Sequence, residues 1–379
     1  MKFGIGQSKD RDTVKAGEIA TNQALSSLKE KPDFIILFAS IFFDVEKLVS
    51  SVFTTSKKTP MIGCTTSGEI LNDITFGSVI VVAVKCEEDE EIKPVFIEDI
   101  HNEPRKLAGE LADLEKRDGF FMFFADGLFS HGSVLVRGIN DYLSPKIKLI
   151  GSLAGDDLKR ERTYQFYQGR VLTNGLSGAF FITKSKVKVG LRHGFYPISH
   201  PMRVTVSREN TIYEIDNHRA SKVYLEFLGL SELDTAFGNV VDVKEVRHSP
   251  IGIPQITGDY KIREFIDIRD DGSIILDSFV PEGNIIRILG CSSQSLISSS
   301  NELVLDILSE IKPKIAFLFP SYSRMLILSD SAKDEIYEIK SIFGDNVSIV
   351  GFYGYGEIGS LRTRRSDFHN KSIGILAIE

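Results

Sequence analysis

Gly351-Phe352-Tyr353-Gly354-Tyr355-Gly356-Glu357-Ile358-Gly359 follows the apolar run Val347 to Val350 and reads as a strand emptying into a glycine-rich loop. It has two echoes. Gly63-Cys64-Thr65-Thr66-Ser67-Gly68-Glu69-Ile70 repeats the Gly-x4-Gly-Glu-Ile spacing after Met61-Ile62. Gly151-Ser152-Leu153-Ala154-Gly155-Asp156-Asp157-Leu158 follows Leu149-Ile150, one residue shorter and with Asp where the others have Glu. Three loops of one design predict an internally repeated protein.

Outward from each loop the order is the same. The apolar runs Phe34 to Phe38, Phe120 to Phe124 and the one opening at Ile315 read as strands buried on both faces. Each is separated from its glycine loop by about the length of a βαβ unit, whose crossover is right-handed. Asp44 is an N-cap for a helix through Val45, Leu48, Val49 and Val52. Helices are also expected over Thr13–Leu28, Leu107–Leu114, from Ser130 to about Tyr142, from Asn217 or Ser221 to about Phe227, and over Ser295–Ile311. After Asp157 the texture becomes a succession of strands, and Arg269-Asp270-Asp271-Gly272 is a hairpin turn. Ser78–Cys86 and Lys371–Ile378 close the first and last repeats. The expected fold is α/β: two tightly associated mixed domains, 1–209 and 210–379, built from strand–helix–strand–glycine-loop units.

Composition limits the function classes. A chain of 379 residues with 42% apolar and 26% charged side chains is that of a globular protein. A formal charge of −7 argues against a nucleic-acid surface; Arg362-Thr363-Arg364-Arg365 is the most basic short stretch. No signal peptide is visible, and Phe34 to Phe43 is too short to span a membrane, so a cytoplasmic location is expected. Three scattered cysteines, Cys64, Cys86 and Cys291, form neither a disulfide framework nor a metal motif.

With this order laid out, the chain resembles the FIST family of sensory domains over nearly its whole length. The matching elements are the three glycine loops, Phe38-Ala39-Ser40, Asp126-Gly127 and Phe368-His369-Asn370. The resemblance implies signal transduction: sensing a small ligand, an amino acid or derivative, and passing the state to a separate partner such as a kinase or cyclase. Some members are haem proteins that respond to nitric oxide, which makes a haem-based sensor the alternative reading. Many relatives carry Cys-x-Gly-Arg after the first strand of the third repeat, where this chain has Ser321-Tyr322-Ser323-Arg324. A role tied to that thiol is therefore not expected here.

The candidate ligand contacts are Cys64, Thr65, Thr66, Ser67 and Glu69 of the first loop, Asp126, then Ser152, Asp156 and Asp157 of the second. Tyr353, Tyr355 and Glu357 of the third loop and Arg324 complete them. Loops leaving parallel strands face the crevice where α/β sheets bind ligands. Glycines let backbone N–H groups converge on an anion. Glu69, Glu357, Asp156 and Asp157 suit an ammonium group, Arg324 a carboxylate, and the tyrosines supply wall and hydroxyls. The same features also read as tight turns whose carboxylates satisfy nearby backbone, and both readings stay open. Enzyme signals are weak: there is no nucleophile elbow, Walker loop or HExxH. An unrecognised hydrolase or transferase using the Asp156-Asp157 region is the remaining alternative; one such carboxylate pair is weak evidence for Mg²⁺, and no metal or catalytic residue is expected. A haem ligand among His101, His131, His193, His200, His218, His248 and His369 is not singled out by spacing.

Overall fold

Three parallel strand pairs organise the molecule. Phe34–Ser40 pairs with Met61–Thr66, Gly119–Ala125 with Ile147–Leu153, and Ile315–Pro320 with Ser348–Phe352. The computed structural model describes residues 1–101, 117–129, 132–231, 243–361 and 365–379. The helix expected over Leu107–Leu114, the start expected at Ser130, His131, and Arg362 to Arg364 lie outside the described residues. The crossover helices are Val45–Thr55, Gly132–Tyr142 and, in the third unit, Tyr322–Leu328 followed by Ala332–Phe343. Asp44 caps the first as expected, its carboxylate accepting from the Lys47 N–H at 3.1 Å. Ser292 and Ser295 form a reciprocal capping box for Ser293–Glu310.

Each pair grows into a six-stranded mixed sheet by one recipe. Beside the first strand lies the antiparallel strand that closes the repeat: Val79–Lys85, Leu176–Ile182 or Ile373–Ile378. Beyond it lies the strand that opens the repeat: Lys2–Ser8, Glu91–Ile97 or Val187–Arg192. The other edge is supplied by a different repeat. The hairpin Glu69–Leu71/Ile74–Thr75, which follows the first loop, joins Ser348–Phe352 of the third sheet. Gln165–Tyr167/Arg170–Leu172, after the second loop, joins Met61–Thr66 of the first. Glu357–Gly359/Asp367–His369, after the third, joins Ile147–Leu153 of the second. The exchange is cyclic, so every sheet is completed by its neighbour.

Residues 196–290, between the opening strand of the third repeat and its helix Ser293–Glu310, build a nine-stranded antiparallel sheet. It has its own core, including Val204, Tyr224, Phe265 and Ile288. The expected Asp271-Gly272 turn is there, closing Phe265–Ile268 against Ile274–Leu276. The helix in this region runs Ala220–Leu228 and starts at Arg219 without a side-chain cap, rather than from Asn217 or Ser221. The division drawn at 209/210 falls in the turn between the paired strands Met202–Arg208 and Thr211–Ile215. Sheet two also draws on residues 357–369 and sheet three on 69–75. The two halves of the chain are therefore interwoven.

The inner faces of the three sheets meet in one aromatic core. The ladders place Leu37 opposite Gly63, Phe123 opposite Gly151 and Leu318 opposite Gly351. The residues that follow, Phe38, Phe124 and Phe319, are thus structural counterparts. They touch one another, with ring centroids 5.3, 5.9 and 6.3 Å apart. Phe352 packs on all three at 4.9 to 5.6 Å. The glycines opposite have a shared reason: a Cβ on Gly63, Gly151 or Gly351 would overlap the carbonyl oxygen of Leu37, Phe123 or Leu318. Truncating a phenyl ring at the common centre strands two sheets. Phe124→Ala is expected to cost about 3–5 kcal/mol by urea unfolding, against about 0.5 kcal/mol or less for the exposed Phe42→Ala.

Candidate functional site

The cyclic exchange brings the three glycine loops together. The Ser67 N–H donates to the Tyr353 carbonyl and the Tyr353 N–H to the Gly68 carbonyl, both at 2.9 Å. Leu153 N–H reaches the Gly356 carbonyl at 2.8 Å, and Gly155 N–H reaches that of Thr65 at 2.9 Å. Side chains seal the junction. Ser152 Oγ donates to the Gly356 carbonyl. The Ser67 hydroxyl accepts from the Asp157 N–H at 3.1 Å, and the Thr65 hydroxyl accepts from Tyr164 N–H at 3.0 Å. Cys64, Thr65, Thr66, Ser67, Glu69, Ser152, Tyr353 and Glu357 have no solvent exposure.

Most of the expected ligand contacts are therefore structural. Arg324 is fully buried: it donates to Glu335 from Nε at 2.9 Å and from an η nitrogen at 2.7 Å, and further to the His193 and Leu296 carbonyls and the Ser300 hydroxyl. A guanidinium so occupied ties helices together and does not grip a ligand carboxylate. Asp126 closes the turn after its strand, accepting from Leu128 N–H, Asn174 N–H and the Thr163 hydroxyl. The Asp156 carboxylate accepts from the N–H groups of Arg160, Glu161 and Arg162 and from the Tyr355 hydroxyl. Those donors hold it below the usual carboxylate range against its burial, and they leave little for a cation. No metal-ligating cluster occurs among the described residues. Asp157 stands exposed beside the Ser40 hydroxyl. Burial alone pushes the Cys64 thiol well up, which makes it inert.

The loop carboxylates show a repeat that spacing concealed. Glu69 accepts from the N–H and hydroxyl of Ser78, which precedes the closing strand. Glu357 does the same with Ser372, which precedes its own. The second-repeat counterpart is not Asp156 but Gln165, whose Oε1 accepts from Gly175 N–H at 3.3 Å. Register agrees: Gln165 lies opposite Cys64, Glu357 opposite Ser152 and Glu69 opposite Phe352. The excursion from Gly155 to Tyr164 displaces Gln165 from the position its motif predicts. A neutral amide at one of three equivalent sites fits burial's effect at the others. Burial raises Glu69 to about 7 and lifts Glu357 well above the carboxylate range.

The space beside the loops is a cleft of about 230 Å³. It opens where strands from two repeats end: Gly127 to Phe129 follow Gly119–Ala125, Leu153 ends Ile147–Leu153, and Tyr322 and Ser323 follow Ile315–Pro320. Tyr355 of the third loop stands edge-on to Tyr322, ring centroids 6.4 Å apart. The inserted sheet forms the opposite wall with Glu264, Phe265, Ile266 and Asp277. Glu264 accepts from Lys371 Nζ at 2.8 Å and from the Ser323 hydroxyl at 2.7 Å. Asp277 accepts from Glu264 N–H at 2.7 Å and from the Asn370 amide, and burial lifts it to about 6. Arg160 lines the rim. Of the sequence candidates only Tyr355 faces this space. Tyr322 and Asn370 lay within quoted motifs, whereas nothing local marks Glu264, Asp277 or Arg160.

His193 and His369 are buried, and loss of hydration lowers them to about 4 and about 3. His369 lines a second cleft of about 400 Å³ together with Arg137, Asp141, Lys261, Arg365 and Asp367. That charged lining does not fit the apolar face of a porphyrin. No helix among the described residues is long and apolar enough to cross a membrane.

Repeated parallel pairs and interlocked glycine loops beside a small cleft define an α/β scaffold of a recognisable class, and comparison with known families agrees. The FIST N domain model matches residues 33–218 and the FIST C domain model residues 220–360. The chain belongs to the FIST family, whose domains are sensory domains of signal transduction. It is 24% identical over 318 residues to an uncharacterized protein of Methanocaldococcus jannaschii, covering 76% of this chain and 59% of that protein. The chain thus spans about three fifths of the length of that relative.

Glu69 carries a pH signature. Its folded pKa lies above its ordinary value, so its contribution to stability is greatest below about 4.5 and is lost as pH rises to about 7. The loss is about 3 kcal/mol at the order-of-magnitude level. Glu69→Gln, which reproduces Gln165, is expected to remove this slope. Urea midpoints on either side of that window should converge for the variant and diverge for the wild type; parallel profiles would show Glu69 to be ionised.

Proposed function

We propose that this chain is a sensor that binds a small polar metabolite of the amino-acid type, without chemistry, in the cleft between Tyr322, Tyr355 and the inserted sheet. The carrying observation is the composition of that cleft. Crossed tyrosines give an apolar wall, Glu264 and Asp277 offer carboxylates to an ammonium group, and Arg160 at the rim suits a carboxylate. Its volume of about 230 Å³ matches a molecule of a few heavy atoms, below the usual range for drug-sized ligands. The position at the carboxyl ends of parallel strands is where open α/β sheets take their ligands.

The signalling step follows from what the cleft joins. One wall belongs to the repeats and the other to the inserted sheet, so a ligand touching both favours the arrangement in which they close. A separate signalling protein in the cytoplasm, of the kinase or cyclase kind, would read that arrangement. The glycine loops take part through Tyr355 and Leu153, while their remaining residues hold the framework.

A thermal-shift screen of amino acids, amines and small carboxylates tests this reading. A ligand at a hundred times its dissociation constant stabilises by about 2.7 kcal/mol, or several degrees at about 2–4 °C per kcal/mol. Tyr322→Ala is expected to abolish the shift while leaving the unliganded midpoint within a few degrees. For an amine-bearing ligand, affinity should rise as pH passes through about 6, where Asp277 ionises. A screen with no hit, or a hit indifferent to Tyr322→Ala, would sink the proposal.

A further inference from the structure

The strand Asp367–His369 separates two spaces. Phe368 and Asn370 face the cleft described above, while Asp367 and His369 face the second cleft of about 400 Å³. The walls of that second space come from three parts of the fold. The helix Gly132–Tyr142 brings Arg137, Asn140 and Asp141, the chain just before Asp367 brings Arg365 and Ser366, and the inserted sheet brings Gln255, Thr257 and Lys261.

Cations crowd one side of it. Lys261 has 8% of its side chain exposed and is ion-paired with Asp367. Arg263, behind it, is 2% exposed and lies in the field of Asp277 and Asp367. Arg137 bears electrostatically on both Lys261 and Arg263. The lining therefore brings Arg137 and Lys261 together with Asp141 and Asp367, with Arg263 behind them answered by Asp277. Burying a lysine beside other cations is unfavourable unless a negative group answers it. One carboxylate does so here, and the strain shows in Lys261, which burial and its cationic neighbours lower to about 8. The Asn140 amide donates to the Ser366 carbonyl at 2.8 Å, which fixes the helix against the floor of the cleft. Neutral Gln255, Thr257 and Ser366 add hydrogen-bonding groups without adding charge.

We infer that the cleft between Arg137, Lys261 and Asp367 is a second binding site, for a small polyanion carrying a phosphate or several carboxylates. The anion would add negative charge beside Arg137 and beside Lys261, whose one carboxylate partner is also shared with the field of Arg263. Because one strand walls both clefts, and the inserted sheet closes both, an occupant here would favour the same closed arrangement as the first ligand.

Calorimetric titration with inorganic pyrophosphate and, separately, citrate, at an ionic strength held constant with chloride, tests this. Arg137 and Asp141 are exposed positions on one helix, so neither substitution threatens folding. Arg137→Gln is expected to weaken binding by about tenfold, the scale of one charged hydrogen bond. Asp141→Asn should strengthen it. Phe42→Ala, exposed and outside both clefts, should leave it unchanged. Preference for pyrophosphate over citrate would assign a phosphate ligand, and the reverse a polycarboxylate. No heat with either probe up to millimolar concentration would overturn the inference. So would equal affinity in wild type, Arg137→Gln and Asp141→Asn.

Discussion

Contact among Phe38, Phe124 and Phe319 is the constraint on which the rest of the molecule depends. Three sheets can share one core only if their equivalent strands present large apolar groups to a common centre. They must also let the adjacent parallel strand approach closely enough to keep its ladder. The first condition is met by phenylalanine, the second by Gly63, Gly151 and Gly351, where a side chain would collide with a backbone carbonyl. Phe352 fills the space that Cys64 and Ser152 leave at the equivalent positions and makes the centre asymmetric.

From that centre the loops have one route out, across the neighbouring sheet. The hairpin after each loop then pairs with the next repeat, and the loops interlock through backbone hydrogen bonds. This explains why residues of evident ligand-binding chemistry end up sealed. Glu69, Glu357 and Gln165 stand at the seams, each receiving the N–H of the residue that precedes a closing strand. The two clefts lie at surfaces that the seams do not use. These are Tyr355 and Tyr322 on one side of the last hairpin, Lys261 and Asp367 on the other, with the inserted sheet covering both.

Much of the framework was legible in the sequence because it is local. The glycine loops, the apolar strands before them and the Asp44 cap declare themselves by residue type and spacing. The α/β class and the family follow from them. The site was legible only in part. Tyr355 was expected and faces the first cleft. Arg324 was expected to hold a carboxylate, but Glu335, Ser300 and two carbonyls from distant segments claim its donors. Asp156 was aligned with Glu69 and Glu357 by spacing, although Gln165 occupies that place once the intervening excursion is accounted for.

The sequence by itself determined that three strand–helix–strand–loop units recur and that each ends in a glycine where backbones must meet. Those outcomes depend on periodicity, turn chemistry and sterics over a few residues. Only the tertiary structure decided which sheet each short hairpin joins, which carboxylates lose their water, and which side chains face a cavity. A two- or three-residue strand such as Ile74–Thr75 carries no local mark of its partner, and burial depends on segments hundreds of residues apart in the chain. Glu264 and Asp277 come to face Tyr322 and Tyr355 for that reason: the inserted sheet packs back onto strand ends that it does not adjoin in sequence.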